Sequence, residues 1–502
     1  MIDLGEHDIV VVGGGTAGAV VASRLSEDAA TSVCLIEGGP SDVGDDRVLR
    51  LASWLGLLGS ELDYDYPIIE QERGNSLIRQ ARGRVLGGCS SHNTMISFLP
   101  LPADLDEWEV LGATGLALGL RSAVPRLRNY IVPVAPSDRN PVEDAFIATA
   151  ARHLGVPVYQ DFNAQAFVDG VGYFSIGYDP KTGIRSSSSV AYLHHALQRP
   201  NLEVLTETRA MRLVVGADHR VTGVEVRPAN GPLALVRARR EVVLSAGAID
   251  SPRLLMLSGI GPAPALSALG IDVVADLPGV GENLRDHPES VITWATVPLP
   301  AQTVMGADAG LFVRRHRGAA GPDLMFHFCV GAYDIQTAAR GYPSPEHAIS
   351  LTPNVPKPRS VGRMWLGSPD PDVKPELDFR YFSDPDGYDE KTILDGLKLA
   401  RRLAAAEPLA SWVVGEVAPG PDVTDDESLS AYGRSVSNTV YHPCGTCRMG
   451  PTGDRYAVVG PELRVHGLRG LRVADASVLP TVPAVNPMVT VLLIGEYAAS
   501  LV

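Results

Sequence analysis

The sequence predicts an α/β fold in which a doubly wound, nucleotide-binding domain is interrupted by a second, inserted domain. A glycine-rich strand–helix–strand unit lies within residues 8–37, a strand followed by a turn lies at 241–247, and a strand ending in an acid lies at 471–475. Because parts of one nucleotide-binding sheet occur near the start, the middle and the end of the chain, the domain that they build must be discontinuous.

The first unit has the order that a dinucleotide-binding fingerprint requires. Residues 8–12 are a β-branched run typical of a buried parallel strand. Gly-Gly-Gly-Thr-Ala-Gly follows at 13–18, and a helix is predicted over 19–27. A second strand, predicted over 32–37, ends in Glu37. We therefore predict a βαβ unit that binds the pyrophosphate of a dinucleotide.

Each residue type in this unit has a physical reason. Gly13 allows a tight turn, Gly15 lets the pyrophosphate approach the backbone, and Gly18 with Ala22 lets the helix pack closely on the strand. The N-terminus of the helix offers free N–H groups to the phosphates. Glu37 is placed to accept hydrogen bonds from the adenosine ribose, which favours FAD or NAD over NADP.

These segments also divide the chain. We expect the cofactor domain to comprise residues 1–155, 200–288 and 436–502, and the inserted substrate domain to comprise 156–199 and 289–435.

Composition and charge exclude several classes of protein. The 502 residues include 43 Lys and Arg against 58 Asp and Glu, and the formal net charge of −15 argues against a nucleic-acid partner. The five cysteines are few and odd in number, which indicates reduced thiols and not a disulfide framework. The sequence has neither a signal-peptide pattern at its start nor a run of ~18 apolar residues that could span a bilayer. We therefore expect a cytoplasmic protein with no membrane partner.

Several segments together resemble the glucose–methanol–choline (GMC) family of FAD-dependent alcohol oxidoreductases. Besides the fingerprint, they are Gly-Arg-Val-Leu-Gly-Gly-Cys-Ser-Ser-His-Asn at 83–93 and the stretches 247–262, 279–288, 441–450, 473–478 and 486–487. The resemblance covers essentially the whole chain. It implies that the inserted domain is built on an antiparallel sheet that roofs the flavin, and that the protein oxidises a primary alcohol to an aldehyde.

The resemblance also implies which residues bind FAD. The matching positions are Gly13, Gly15, Thr16, Ala17, Gly18, Glu37, Gly38, Arg84, Gly88, Ser91, His92, Asn93, Thr94, Ala210, Ala246, Gly247, Asp475, Ala476, Asn486 and Pro487. In the choline-oxidising members of the family, the histidine at the position of His92 is bonded covalently to the flavin. We therefore predict that His92 carries the FAD, with a loop histidine over the ring as the alternative.

Two residues are predicted to carry the chemistry. Flavin N5 can take a hydride from the alcohol carbon, but a base must take the hydroxyl proton. His442 occupies the family's catalytic position, and an imidazole can accept that proton near neutral pH. Asn486 matches the family's second active-site position and is predicted to hold the substrate oxygen. A buried structural histidine and an Asn-Pro turn are the alternatives.

The substrate class follows from Glu289. In the choline-oxidising members the matching glutamate faces a trimethylammonium group, and a carboxylate in a closed pocket needs a cation to offset its desolvation. Trp54, Tyr441 and His327 match further residues of that pocket, but Ala307 stands where those members have a tryptophan. The pocket should therefore be wider, so that a bulkier amino sugar, aminoglycoside or aryl alcohol competes with a choline-like substrate.

The sequence leaves other readings open. An NAD-dependent reductase would share only the fingerprint, and a lyase-like or structural relative would bind FAD without redox turnover. Oxygen is the expected electron acceptor by resemblance, and a homodimer is expected. Cys444 and Cys447 have redox-like spacing, and His194 and His195 are adjacent, but neither pair has the context of a redox or metal site, so no metal is predicted.

Overall fold

The computed structural model describes residues 2–301, 303–316 and 318–502. Its α-helices within these ranges are α1 (Gly18–Leu25), α2 (Asp46–Leu49), α3 (Pro102–Val110), α4 (Leu116–Ala123), α5 (Pro141–Leu154), α6 (His194–Ala196), α7 (Gly247–Leu257), α8 (Ala263–Ala268), α9 (Tyr388–Ala404), α10 (Asp426–Ser435) and α11 (Met488–Leu501).

The strands fall mainly into two large sheets. In chain order they are β1 (Ile2–Val12), β2 (Val33–Ile36), β3 (Tyr66–Pro67), β4 (Arg79–Gln80), β5 (Val132–Pro133), β6 (Val158–Tyr159), β7 (Gly170–Tyr173), β8 (Ser175–Ile176), β9 (Leu202–Leu205), β10 (Thr208–Val215), β11 (Val221–Pro228), β12 (Ala234–Leu244), β13 (Ile260–Gly261), β14 (Ala275–Asp276), β15 (Pro288–Glu289), β16 (Ile292–Thr296), β17 (Ala309–Val313), β18 (Leu324–Val330), β19 (Ala348–Asn354), β20 (Arg363–Trp365), β21 (Glu376–Asp378), β22 (Val413–Ala418), β23 (Asn438–Thr439) and β24 (Leu471–Val473).

The first large sheet is the predicted nucleotide-binding sheet. Its strand order is β10-β11-β12-β1-β2-β9, and β24 pairs with β12. The pairs that join β12, β1, β2, β9 and β24 are parallel, whereas β10 and β11 form an antiparallel extension. The predicted α/β class and the return of the chain to this sheet near 471–475 are confirmed. Strand β1 starts earlier than predicted because residues 2–7 also pair with β12.

The second large sheet belongs to the inserted part of the chain. Its order is β22-β16-β19-β18-β17-β7-β6, and β15 joins β19 to β23. Its pairs are antiparallel except β6 with β7. The predicted antiparallel sheet is therefore confirmed. Pairing of β15 with both β19 and β23 brings residues near 289, 354 and 438 together, although they are far apart in sequence.

Two elements pack on the other side of the predicted domain division. Helix α5 was assigned to the cofactor domain, but its Phe146 stacks on Phe328 of β18, with ring centroids 4.5 Å apart. The short π-helix Ser189–Leu193 was assigned to the substrate domain, but Ala191 and Tyr192 pack with Val20 of α1. Apolar contacts decide which domain each of the two elements packs against, and the positions of the motifs along the chain do not reveal those contacts.

Helices α1 and α11, from the first and last segments of the cofactor domain, pack against each other. Helix α11 packs along α1, and a Cβ on Gly495 would lie 2.8 Å from the Ala17 carbonyl oxygen. The buried carboxylate of Glu496 pairs with Arg24 at 2.7 Å. In the described part of the chain, no helix is both long and apolar enough to cross a membrane.

Candidate active site

A large cavity lies between the two sheets, with a volume of about 440 Å³. Its floor is formed where strands of the parallel sheet end, at Val12, Ile36 and Ser245. Its opposite wall includes His327 of β18 and Glu289 of β15. The carboxyl ends of parallel strands are the usual ligand-binding edge of an open α/β sheet.

Glycines at the floor leave room for a ligand to approach the backbone. A Cβ on Gly13 would lie 2.5 Å from the Ser245 carbonyl oxygen, so this turn requires glycine. A Cβ on Gly15 would meet nothing nearer than 3.8 Å, and one on Gly247 nothing within 4 Å among the described residues. Both glycines line the cavity, so a side chain at either position would project into space that a pyrophosphate can use. The site therefore fits FAD.

The carboxyl group of Glu37 is held by backbone groups. Its Oε2 accepts a hydrogen bond from Gly14 N at 2.9 Å, and its Oε1 accepts one from Gly39 N at 2.7 Å. Burial raises the pKa of Glu37 to about 7, although both N–H donors act to lower it. The side chain lines the cavity at the end of β2, as the fingerprint predicts.

Most of the predicted cofactor residues line this cavity. They are Gly13, Gly15, Thr16, Ala17, Glu37, Gly38, Gly88, His92, Asn93, Thr94, Ala210, Ala246, Gly247, Asp475, Ala476, Asn486 and Pro487. Gly18, Arg84 and Ser91 are not among the lining residues.

The three exceptions have structural contacts instead. A Cβ on Gly18 would lie 1.9 Å from the Gly13 carbonyl oxygen, so Gly18 serves the tight packing of strand and helix. The Ser91 hydroxyl donates to the Leu86 carbonyl at 2.8 Å, and Arg84 Nη1 donates to the Glu61 carbonyl at 3.1 Å. Family motifs thus include residues that shape the site without facing the cavity.

His442 is part of a directional pair of histidines. His287 Nε2 lies 2.9 Å from the Pro356 carbonyl oxygen, which can only accept, so this nitrogen carries a proton. Burial lowers the pKa of His287 to about 3, so its ring is neutral and its Nδ1 is an acceptor. His442 Nδ1 lies 2.8 Å from that atom and must donate to it. The basic nitrogen of His442 is therefore Nε2.

Burial also lowers the pKa of His442 well below 6.5, with smaller contributions from His287, His327 and Arg82. The ring is consequently neutral at neutral pH and able to accept a proton. Its backbone N–H donates to Asp286 Oδ1 at 2.8 Å. Asp286 Oδ2 accepts from Tyr381 and Gln80, so one buried carboxyl joins the loop of His442 to two other elements.

The loop before His442 has an unusual backbone conformation. Tyr441 has a φ of 64°, a left-handed value that aromatic residues seldom adopt. Its N–H donates to Thr439 Oγ1 at 2.7 Å, and its carbonyl accepts from Arg82 Nη2 at 2.6 Å. These bonds hold the strained residue where its side chain lines the cavity.

Two further predicted residues face the same space. Asn486 lines the cavity and is 7% exposed, and its Oδ1 has no partner among the described residues. Buried amides normally find partners, so this one is suited to a ligand. His92 Nε2 lies 3.1 Å from the Leu57 carbonyl oxygen, and burial lowers the pKa of His92 to about 4. His92 is thus a neutral imidazole in the cavity wall.

Glu289 is a buried carboxyl group with little protein charge to balance it. It is 3% exposed, and burial raises its pKa to about 8. Its Oε1 accepts from the Tyr333 hydroxyl at 3.0 Å, and its Oε2 lies 3.9 Å from His327 Nδ1. Burial lowers the pKa of His327 to about 4, so that ring brings no positive charge.

The wall around Glu289 contains aromatic and small residues. Trp54 lies on a 3₁₀-helix, Leu51–Leu57, and its Nε1 donates to the Met305 carbonyl at 2.9 Å. Ala307 also lines the cavity, at the position where the sequence predicts a wider pocket because alanine replaces a tryptophan. Cys329 also lines it, and burial raises the pKa of its thiol far above the ordinary value, so the sulfur is protonated.

The cysteine pair and the histidine pair, for which the sequence predicts no redox or metal site, do not line the cavity. Cys444 and Cys447 are buried free thiols, and burial raises the pKa of Cys444 to about 12. His194 Nε2 lies 3.1 Å from Asp42 Oδ1. Among the described residues, His7, Cys34 and Glu203 bring potential ligand atoms within 4.8 Å of one another outside the cavity. The absence of a metal requirement stays a prediction.

Sequence reasoning missed several residues of this site. His287 and Asp286 adjoin Glu289 in one quoted segment, so a search for titratable groups beside a predicted site residue could have found them. Arg82 lies one position before the quoted segment at 83–93. Tyr333 carries no local motif. Asn438 begins the family segment 438–442, but the sequence predicts no role for it, because its role depends on contacts between distant parts of the chain.

Comparisons with known proteins agree with this geometry. Profiles of GMC oxidoreductase match residues 7–289 and 358–495. The chain is 46% identical to choline oxidase of Arthrobacter globiformis, over 99% of this chain and 94% of that protein. It is 36% identical to an oxygen-dependent choline dehydrogenase of Sinorhizobium medicae (strain WSM419), over 98% and 95%. The crystal structure of pyridoxine 4-oxidase from Mesorbium loti superposes with a TM-score of 0.89 at 30% identity, covering 98% of each chain.

Proposed function

Since the chain belongs to the GMC oxidoreductase family and is an FAD-dependent enzyme acting on a CH–OH donor, we propose that its substrate is a cationic, choline-like primary alcohol. The observation that carries this proposal is Glu289, a buried carboxyl in the cavity wall whose Oε2 has no cationic partner within 4 Å among the described residues. A cation on the substrate would offset the desolvation of this carboxylate. Trp54 and Tyr441 add aromatic surface suited to a quaternary ammonium group.

The proposed chemistry follows from the histidine pair. Bound FAD supplies the acceptor for the hydride that leaves the alcohol carbon. His442 Nε2 accepts the hydroxyl proton, while the bond from its Nδ1 to His287 holds the ring in the basic tautomer. Asn486, which lines the same cavity, holds the substrate oxygen by donating to it from Nδ2, so that the hydroxyl proton is directed to the base.

Several finer points stay proposals. Oxygen is the proposed electron acceptor, supported by the names of the two similar proteins, an oxidase and an oxygen-dependent dehydrogenase. The glycine floor and Glu37 are proposed to hold the dinucleotide part of FAD. A homodimer and a cytoplasmic location stay predictions.

A second candidate is a bulkier amino alcohol. Ala307 in the wall supports it, because a small side chain there leaves space that a tryptophan would fill. An amino sugar or aminoglycoside would keep the cation that Glu289 favours, whereas an aryl alcohol would not. Binding of FAD without turnover remains the non-redox alternative.

A matched pair of alcohols tests the proposal. Choline and its uncharged carbon isostere, 3,3-dimethylbutan-1-ol, differ in charge but hardly in shape. We expect both to bleach the flavin anaerobically and to produce peroxide in air, with a much higher kcat/KM for choline. A larger amino alcohol that exceeds choline would establish the second candidate. No bleaching by any alcohol would contradict the proposed function.

The covalent link through His92 has its own test. Acid precipitation should leave the yellow flavin in the protein pellet, and His92→Ala should release it to the supernatant. Flavin in the supernatant of the unaltered protein would contradict covalent attachment.

A further inference from the structure

Tyr333, which contacts Glu289, is the last member of a continuous chain of hydrogen bonds that leads to this carboxylate. Tyr333 donates its hydroxyl proton to Glu289 Oε1 at 3.0 Å. The oxygen of the same hydroxyl accepts from Asn438 Nδ2 at 3.3 Å. Because the phenol oxygen already accepts a hydrogen bond from Asn438, its one proton is directed to the carboxylate.

Three side-chain amides continue the chain behind Tyr333, and we name Asn438, Gln336 and Asn75 the amide chain. Asn438 Oδ1 accepts from Gln336 Nε2 at 3.2 Å, and Gln336 Oε1 accepts from Asn75 Nδ2 at 2.7 Å. Asn75 Oδ1 accepts from the exposed guanidinium of Arg340 at 2.9 Å. All donors thus point the same way, from an exposed cation to the buried carboxylate.

This arrangement has an electrostatic consequence. Hydrogen bonds in series polarise one another, and bonds that donate to a carboxylate favour its ionised form. The three amides are buried, so the chain is not replaced by water. The other titratable groups that act on or adjoin Glu289 are His327, Tyr441, Asp286 and Cys329, none of them a cation at neutral pH.

We propose that Tyr333 is a specificity-determining positioning residue, which with the amide chain favours the ionised form of Glu289 and leaves its Oε2 to the cation of the substrate. The inference rests on the proposed function, because it needs a cationic alcohol. It goes further because it assigns an influence on the charge of Glu289 to one phenol and three amides for which the sequence predicts no role. Tyr333 occupies only Oε1, so the substrate cation can reach Oε2.

The test uses R, defined as the kcat/KM for choline divided by that for 3,3-dimethylbutan-1-ol. Tyr333→Phe removes the donor and keeps the ring. Loss of a hydrogen bond to a charged group should lower R about tenfold at pH 7 and leave the neutral alcohol nearly unchanged. It should also move the midpoint of the rise of R with pH upward by about one unit. Gln336→Met, which breaks the amide chain farther away, should lower R by about threefold and move the midpoint in the same direction.

A matched control separates this effect from general loss of packing. Tyr432 is a buried tyrosine, and its hydroxyl donates to the Val291 carbonyl at 2.8 Å, outside the hydrogen-bond chain. Tyr432→Phe should leave R and its pH midpoint unchanged.

The outcomes are distinguishable. If the unaltered protein has a high R that Tyr333→Phe leaves unchanged in value and in pH midpoint, the inference fails and the proposed function stands. If R of the unaltered protein is near 1, the proposed substrate class itself fails, and the inference fails with it.

Discussion

The cofactor region and the substrate region of the cavity each contain a buried glutamate, and they hold it differently. Glu37 and Glu289 are 6% and 3% exposed, and burial raises their pKa values to about 7 and about 8. Both oxygens of Glu37 accept backbone N–H groups, whereas the groups that lower the pKa of Glu289 are the side-chain hydroxyls of Tyr333, at 3.0 Å from Oε1, and of Thr352. The glutamate of the cofactor region is therefore held by backbone groups, and that of the substrate region by side chains that a substitution can change.

This difference has a consequence for substitution. Only a substitution to proline removes a backbone donor, so the geometry around Glu37 should persist through other changes in the side chains that surround it. The donor to Glu289 is a phenol, which one substitution can remove. Selectivity for the substrate should therefore change more readily than affinity for the cofactor.

The largest expected effect lies where the two regions meet, at His442. His442→Ala should lower the rate of flavin reduction by about 10²–10⁴, the span typical of a positioned acid–base group. Rapid-reaction absorbance measurements would follow the reduction, and the FAD content should stay near that of the unaltered protein. His195→Ala, at an exposed position, is the control. A loss below about tenfold would rule out His442 as the base.

Exchanging each glutamate for its amide tests the comparison directly. Glu289→Gln should lower R by about 10²-fold, because it removes a desolvated charge from its cation. Glu37→Gln should leave R unchanged and loosen the cofactor, measured as FAD released by ultrafiltration after mild denaturation. If Glu37→Gln lowered R as much as Glu289→Gln, the two regions would not be separable.

The pH dependence should differ between the two alcohols. A pKa near 8 means that Glu289 is mostly neutral at pH 7 and mostly ionised at pH 9. The kcat/KM for choline should therefore rise about tenfold over that interval, as the ionised fraction of a single group does. The value for 3,3-dimethylbutan-1-ol should stay level, because the lowered pKa of His442 keeps this base neutral throughout. Parallel profiles for both alcohols would contradict this assignment.

The smallest effect concerns the width of the substrate region. Ala307→Trp adds an indole to the cavity wall, and its cation–π attraction should raise the kcat/KM for choline by about fivefold. The same substitution should reduce turnover of bulkier amino alcohols. Ala320→Trp, at an exposed position, is the control. An unchanged preference between small and bulky amino alcohols would mean that residue 307 does not set the width.

The cofactor region could be predicted because its information is local. Strand β1, helix α1 and strand β2 follow one another in sequence, and Glu37 closes the unit, so spacing alone places these groups at one edge of a sheet. Gly18 has the packing role that the fingerprint predicts, since it packs against Gly13. It does not line the cavity, so the family resemblance alone placed it among the FAD-binding residues.

The substrate region could be predicted only where the family resemblance reached. His442, Asn486 and Glu289 were found through their motifs, and the structure brings all three to one cavity. Tyr333 and the amide chain were not found, since Asn75 and Asn438 are remote in sequence and meet only through tertiary contacts. The packing of α5 on the antiparallel sheet was missed for the same reason.

The protonated thiol of Cys329 has a bearing on how long the enzyme survives its own chemistry. With oxygen as the proposed electron acceptor, hydrogen peroxide would form in the cavity that Cys329 lines, and peroxide attacks thiolates far faster than thiols. The burial that raises the pKa of Cys329 therefore protects it from oxidation. A variant that introduced a lysine next to this sulfur would favour the thiolate, and we would expect it to inactivate itself progressively during turnover.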